Sequence, residues 1–338
     1  MKYCIIGSGA AGVFAAKKIR QLDSEGEIVI FTDEKRALFA KPRLPEFLSG
    51  DCKEEDLLIF KSEWYEKQRI QVRTESRVRE IIPHDNVIMT TGDERYEYDK
   101  LLIAAGSHPS RLPIAGFQSD NVYTVRTVED IITLRSLAQT KKCCIVIGGG
   151  LLGIEIAYAL SKLGLTVTVV EYFDRLIPRQ LDQEGSNILK KILEEKGLHF
   201  RLGAQTTAIE DTQGEKQIII KGQQVICCEF VVMSVGISPN IQLAQRAALT
   251  TNKGIIVNDF LKTTDHNIFA AGDCAEHNGA IYGLWSAAME QGEIAGENMV
   301  DMRRHYEGST VSTMLKVAGV EVSSVGEIIH KERDVDVV

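Results

Sequence analysis

The 338-residue sequence predicts an α/β fold made of two similar parallel-sheet units and a short β-rich end, on three observations. The run "KYCIIGSGAAGVFAAKKIRQL" reads as strand, glycine turn and helix. The same order returns as "CCIVIGGGLLGIEIAYALSKLG", roughly 140 residues later. In both copies the next strand-like run, "GEIVIFTDE" or "LTVTVVEYFD", ends in acid. A repeated supersecondary order of this kind indicates a duplicated unit.

The elements follow in chain order. After the first copy, between Arg77 and Gly106, the pattern changes to hairpins. "NVIMT", the turn "TGDE" and "RYEYDKLLIAAG" alternate and then become wholly apolar, as a small antiparallel piece returning to a buried central strand would. After the second copy, "KQIIIKGQQVICCEFVVMSVG" supplies a hairpin and another buried strand. A third segment, from about Ile237 to Asp301, returns with "GIIVNDFLKTTDHNIFAAGDCAEH" and a helix-like "SAAMEQGEIAGENMVD". The last stretch, "STVSTMLKVAGVEVSSVGEIIHKERDVDVV", is β-rich and polar at its end.

Apolar residues at 44% and charged residues at 25% are those of an ordinary soluble globular protein. A net charge of -8 leaves no basic footprint for nucleic acid. No apolar run reaches the roughly 20 residues that span a bilayer. The opening "KYCIIGSG" has no charged region and cleavage site before it, so a cytoplasmic protein is expected. Seven cysteines include no C-x-x-C spacing, and no metal site is expected. Cys143–Cys144 and Cys227–Cys228 fall inside apolar strand-like runs, which predicts buried free thiols and a reducing compartment.

The glycine motifs carry the chemistry. Gly7-x-Gly9-x-x-Gly12 and Gly148-x-Gly150-x-x-Gly153 each follow an apolar strand and open a helix, at Ala10 and Ala11 in one and Leu151 and Leu152 in the other. The first glycine makes the turn, the second lets backbone approach a pyrophosphate, and the third packs helix on strand. The helix N-terminus then offers N–H groups and partial positive charge to phosphate. Glu171 follows "TVTVV" directly, where a carboxylate accepts hydrogen bonds from an adenosine ribose and repels a 2′-phosphate. NADH is therefore expected over NADPH at the second motif, although Arg175 and Arg179 nearby leave NADPH open. In the first unit Asp33 and Glu34 compete for the equivalent place, with Glu34 preferred.

The stretch "ALFAKPRLPEFLSG" is awkward for helix or strand, because Pro42 and Pro45 lack N–H donors and restrain the residues before them. It carries Lys41, Arg43 and Glu46 and no cysteine.

With these motifs, and with "YDKLLIAAGSHP", "SVGISPN", "NIFAAGDCAE" and "YGLWSAAMEQGEIAGENM", nearly the whole chain resembles the FAD-dependent pyridine nucleotide oxidoreductases with two dinucleotide-binding domains of the glutathione-reductase type. The resemblance implies an FAD-binding domain in two parts, 1–110 and 237–305, an NAD(P)H-binding domain at 111–236, and a partial interface-type segment at 306–338. It places FAD on the first glycine motif and NAD(P)H on the second. It gives Asp273, after Gly272, to the flavin ribityl chain, and Ala105 and Gly106 to the turn closing the FAD site. Gly236 belongs to the "SVGISPN" turn, Glu155 stands near the nicotinamide, and Arg126 and Trp285 stand near the flavin. Lys41 and Pro42 would face the flavin, with Lys41 stabilising negative charge on the reduced ring.

Relatives that work on disulfides place a redox cysteine in that stretch. This chain has Lys41-Pro42-Arg43-Leu44-Pro45-Glu46, and Cys52 reads as an exposed loop residue. Electrons would then leave from the flavin itself. "K-P-R-L-P-E" is similar to a segment of NAD(P)H:rubredoxin oxidoreductases, and "LWSAAMEQGEIAGENM" also resembles the flavin part of assimilatory nitrite reductase large subunits. The implied function is electron transfer from NADH through FAD to a small iron–sulfur protein such as rubredoxin. An NADH oxidase, the NADH-accepting module of a nitrite-reductase-like complex, and an NADH-sensing flavoprotein of the apoptosis-inducing-factor kind are the alternatives. The family's C-terminal domain is longer, so a homodimer and a partner subunit both remain open, as do a shortened member and a truncated chain.

Overall fold

A computed structural model describes residues 1–212 and 214–326; the end of the expected β-rich segment, residues 327–338, lies outside them. The chain forms two compact units. The first comprises Met1–Ala40, Leu58–His108 and Ser238–Thr310; the second comprises Lys41–Leu57, Pro109–Ile237 and the segment starting at Val311.

The first unit is built on a parallel sheet in the spatial order Ile268–Ala270, Lys100–Ile103, Lys2–Ile6, Glu27–Phe31, Ile70–Arg73. Lys2–Ile6 and Glu27–Phe31 each have four consecutive buried residues, as expected of strands covered on both faces. The Ala10–Leu22 helix packs against the Trp285–Met299 helix at very short range. The close approach depends on Gly292 and Gly296, where a Cβ would lie 2.3 Å from the Ala11 carbonyl oxygen and 2.7 Å from that of Ala15. A three-stranded antiparallel piece, Val78–Ile82, Val87–Thr90 and Arg95–Glu97, intervenes before Lys100–Ile103, as the alternation predicts.

The second unit repeats the plan. Its parallel sheet runs His199–Arg201, Thr166–Val170, Cys143–Ile147, Phe230–Met233, Val122–Thr124, with the strand before the glycine turn again at the centre. Its antiparallel piece is Thr206–Thr212, Glu215–Ile220 and Ile226–Cys228. The fifth strands differ in origin: Ile268–Ala270 comes late in the chain, whereas Val122–Thr124 precedes the rest of its own sheet. A hairpin, Ser312–Val317 with Val320–Val325, completes the described part of this unit.

Three expectations need correction. The awkward stretch forms a 3-10 turn, Lys41–Arg43, and a short helix, Leu44–Ser49. Pro45 sits in the helix's first turn, where no N–H is needed, and Gly50 closes it in the left-handed conformation. This segment belongs to the second unit, with Arg135 over the Phe47 ring. The paired cysteines are free but not all buried: Cys144 and Cys228 are, Cys143 is half-buried and Cys227 is exposed. Strand alternation sends successive side chains to opposite faces, and the Ile226–Cys228 strand has one face in solvent. Cys52 is half-buried rather than exposed.

Candidate active site

Both glycine turns are fixed by the same contacts. Gly7 N–H donates to the Phe31 carbonyl and Gly148 N–H to that of Val170, each at 2.8 Å. Their φ values, 111° and 115°, lie in the left-handed region. A Cβ at either would come within 2.1 Å of a backbone oxygen, that of Ala104 or of Ser234. The segments Ala104-Ala105-Gly106 and Ser234-Val235-Gly236 thus hold equivalent places beside the two turns. Asn240 secures the first, donating from Nδ2 to the Ala105 oxygen at 2.8 Å and from its N–H to Gly106 at 3.0 Å. Ser110 N–H donates to the Gly236 oxygen at 2.9 Å in the second.

The helices that follow have no side-chain cap: Gly9 and Gly150 are their N-cap residues. By contrast, Thr127 caps the Val128–Thr140 helix and Asp182 caps the Gln183–Glu195 helix. The first-turn N–H groups of the two glycine-turn helices, from Ala10 and Ala11 and from Leu151 and Leu152, are therefore left to an external acceptor. A Cβ at Gly9 or Gly150 would meet nothing within 4 Å, so the cradle is open where a phosphate must approach. The two units fit dinucleotides on this observation.

In the first unit, Gly272 brings its segment onto the helix start, since a Cβ there would lie 3.0 Å from the Ala11 Cβ. The Gln291 side chain accepts from Gly272 N–H at 2.8 Å. Asp273 is half-buried and accepts from the Ser107 hydroxyl at 2.7 Å. Ser107, Asn240 and Gln291 were not singled out from the sequence; each acts on a partner distant along the chain. Trp285, half-buried at the start of its helix, packs on this unit's core.

The acids at the strand ends are not equivalent. The Gly7–Phe31 and Gly148–Val170 bonds put Thr32, not Asp33 or Glu34, at the place of Glu171. Asp33 is exposed and Glu34 half-buried. Glu171 is buried, and its carboxylate accepts from Gly149 N–H and, at 2.9 Å, from Phe173 N–H. Arg175 is occupied in its own turn, with Asp174 at 3.2 Å and the Pro178 oxygen at 3.4 Å, whereas Arg179 is exposed.

Lys41 and Arg126 are half-buried and Pro42 is exposed, all in the second unit. Arg126 sits just before a helix, with its N–H donating to the Asp130 carboxylate at 2.8 Å. A cavity of about 540 Å³ opens between the Leu44–Ser49 helix, the Leu151–Lys162 helix and the C-terminal hairpin. Pro42, Glu46 and Glu155 line it. Burial pushes the Glu155 carboxyl up to about 7, and the negative charge of Glu46 adds to the effect. An unpaired carboxylate is costly to desolvate, and raised proton affinity is how the fold accommodates it. Among the described residues no group of three or more His, Cys, Asp or Glu is placed to hold a metal, and no helix is long and apolar enough to cross a membrane.

Two uncapped glycine-turn helices, each on the central strand of its own parallel sheet, define a protein with two dinucleotide-binding units. Residues 1–292 match the family described as Pyridine nucleotide-disulphide oxidoreductase, and the chain belongs to that family. It is 37% identical over 331 residues to the "Assimilatory nitrate reductase electron transfer subunit" of Bacillus subtilis (strain 168), covering 97% of this chain and 43% of that one. It is 30% identical over 327 residues to the "NADH-rubredoxin oxidoreductase" of Clostridium acetobutylicum, covering 97% and 82%. Among solved structures, an NAD-dependent persulfide reductase from A. fulgidus superposes with a TM-score of 0.87 at 30% identity, over 94% of this chain and 62% of that one. The chain spans about two fifths of the length of the first curated relatives it matches, from 43% down to 39%.

Proposed function

We propose that this chain is an NADH-dependent flavoprotein reductase that passes electrons to a small iron–sulfur protein of the rubredoxin kind. The observation that carries the reading is the pairing of two open phosphate cradles with a Lys41–Glu46 segment that contains no thiol. FAD, when bound, accepts a hydride from NADH and releases the electrons singly. The first unit would hold it through Gly7, Gly9, Gly12, Ala10 and Ala11 at the pyrophosphate. Asp273, oriented by Ser107, would accept from ribityl hydroxyls, and Ala105, Gly106 and Trp285 would bound the site. Asp33 and Glu34 remain candidates for the flavin's ribose.

The second unit would take NADH on Gly148, Gly150, Gly153, Leu151 and Leu152, with Glu171 at the adenosine ribose and Gly236 beside the turn. Glu155 would orient the nicotinamide in the cavity, and Lys41, with Pro42 and Arg126, would stabilise charge on the reduced flavin. The domain division 1–110, 111–236, 237–305 and 306–338 belongs to this reading. So does a reducing cytoplasm, supported by seven free cysteines.

A second reading is favoured by the relative at 37% identity: the chain serves as the electron-entry module of a larger nitrate- or nitrite-reducing assembly. An anaerobic NADH titration followed by oxidised rubredoxin separates the two. Bleaching with one NADH per flavin and rapid reoxidation by rubredoxin is the expected result. Bleaching without any response to rubredoxin transfers the assignment to the assembly, and uptake of a second NADH equivalent would reveal a further redox centre and overturn both.

A further inference from the structure

The charges around the 540 Å³ cavity of the second unit are matched, with one exception. Arg43 pairs with Glu46 at 2.9 Å, Lys162 with Asp51 at 2.6 Å, and Lys316 with Glu321 at 2.9 Å. These six residues line the cavity from all three elements that enclose it, together with Tyr158, one turn along from Glu155. Only Glu155 is left: among the described residues its carboxyl makes no hydrogen bond and no ion pair. Every cation that lines the cavity already has an acid of its own.

We infer that burial, reinforced by Glu46, holds Glu155 in its protonated form before a ligand enters, so that the cavity takes up a cationic, oxidised nicotinamide with release of one proton and a neutral, reduced nicotinamide with none. This rests on the proposed placement of the dinucleotide in the second unit. Glu155 is desolvated by burial, and the neighbouring Glu46 charge, though paired with Arg43, adds to the penalty for ionising it. A ring carrying positive charge supplies the missing counter-charge. The carboxyl then loses its proton to solvent, the carboxylate faces the cation, and no bond to the nucleotide forms. The reduced ring is neutral and leaves the carboxyl protonated, able to donate a hydrogen bond. Glu46 acts through Glu155 and is a positioning residue.

Proton linkage makes the consequence measurable. Below about pH 7, NAD⁺ affinity should fall about tenfold per pH unit, because one proton must leave for each cation bound. NADH affinity should stay flat over the same range. The experiment is calorimetry of NAD⁺ and NADH binding to the flavin-loaded full chain, in buffers of different ionisation heat, on wild type, Glu155→Gln and Glu46→Gln. Expected are about one proton released per NAD⁺ near pH 6 in wild type, none in Glu155→Gln, and a transition moved to lower pH in Glu46→Gln.

Release of no proton by a wild-type chain that binds both nucleotides overturns the inference and leaves the NADH reading standing. So does release that persists in Glu155→Gln, or a transition that Glu46→Gln leaves in place. A wild-type chain that binds neither nucleotide overturns the reading of the second unit, and the inference falls with it.

Discussion

Gly12 packs directly against the carbonyl of Gly7: a Cβ at Gly12 would lie 2.0 Å from that oxygen. Gly153 stands in the same relation to Gly148, also at 2.0 Å. In both units the third glycine of the motif sets how closely helix and turn approach, and hence where the helix N–H groups point.

Alanine at these two positions should therefore separate the units. Overpacking of this kind costs about 1–3 kcal/mol, and here backbone must shift to relieve it. Gly12→Ala should purify with little flavin while the second unit still binds NADH. Gly153→Ala should keep its flavin and need at least about tenfold more NADH to bleach it, the equivalent of about 1.4 kcal/mol. Flavin-to-protein absorbance and an NADH titration read both. Equal loss of flavin in the two variants would refute the separation.

On the proposed reading Glu171 does two things at once, and a neutral replacement should expose both. Its carboxylate holds Gly149 and Phe173 N–H groups, and a hydrogen bond to a charged group contributes about 1.5–3 kcal/mol. Glu171→Gln weakens the turn and removes the charge that opposes a 2′-phosphate. The ratio of kcat/KM for NADH over NADPH should fall by about tenfold or more, since each 1.4 kcal/mol is tenfold. An unchanged ratio would mean that Glu171 serves only to brace the turn.

Much of this architecture was legible because it is local. A glycine turn between an apolar strand and a helix is written in consecutive residues, and Glu171 directly follows its strand. The first unit's acid was harder. "FTDE" offers two carboxylates, yet backbone register gives the Glu171 place to Thr32, which no composition argument selects. Ser107 and Asp273 are 166 residues apart, so their hydrogen bond could not be read along the chain. Lys41–Ser49 was misjudged because proline is read as a helix breaker, although the first turn tolerates it. The unpaired state of Glu155 depends on ion pairs contributed by three separate elements, and only the folded chain brings those together.

Lys216 offers a test of how the second unit tolerates a charge in its core. Its side chain is 1% exposed, and its ammonium donates to Asp211 at 2.8 Å and to the Ser119 hydroxyl at 2.9 Å. Asp211 is 58% exposed. Removing one partner of a buried pair is costly because the other charge stays behind, and here only the lysine is deep. Asp211→Ala should lose about 2–3 kcal/mol, while Lys216→Met, which leaves a solvated aspartate and fills the space, should lose less than about 1.5 kcal/mol. Urea unfolding of both variants decides the order, and a larger loss in Lys216→Met would refute it.

Glu155 should also leave a signature in stability against pH, independent of any nucleotide. Its carboxyl lies at about 7 in the folded chain against an ordinary 4.5, so between these values the folded state holds a proton that the unfolded state has lost. Stability from this group is therefore complete below about pH 4.5, declines as pH rises toward 7, and is level above it. Glu155→Gln does not titrate and escapes the decline. Relative to wild type, the variant should gain up to about 3 kcal/mol at pH 8, and the gain should shrink steadily as pH is lowered toward 5. Paired urea midpoints across that range measure it. A difference that stays constant with pH would show that Glu155 is ionised in the folded chain throughout, with a partner that neutralises it.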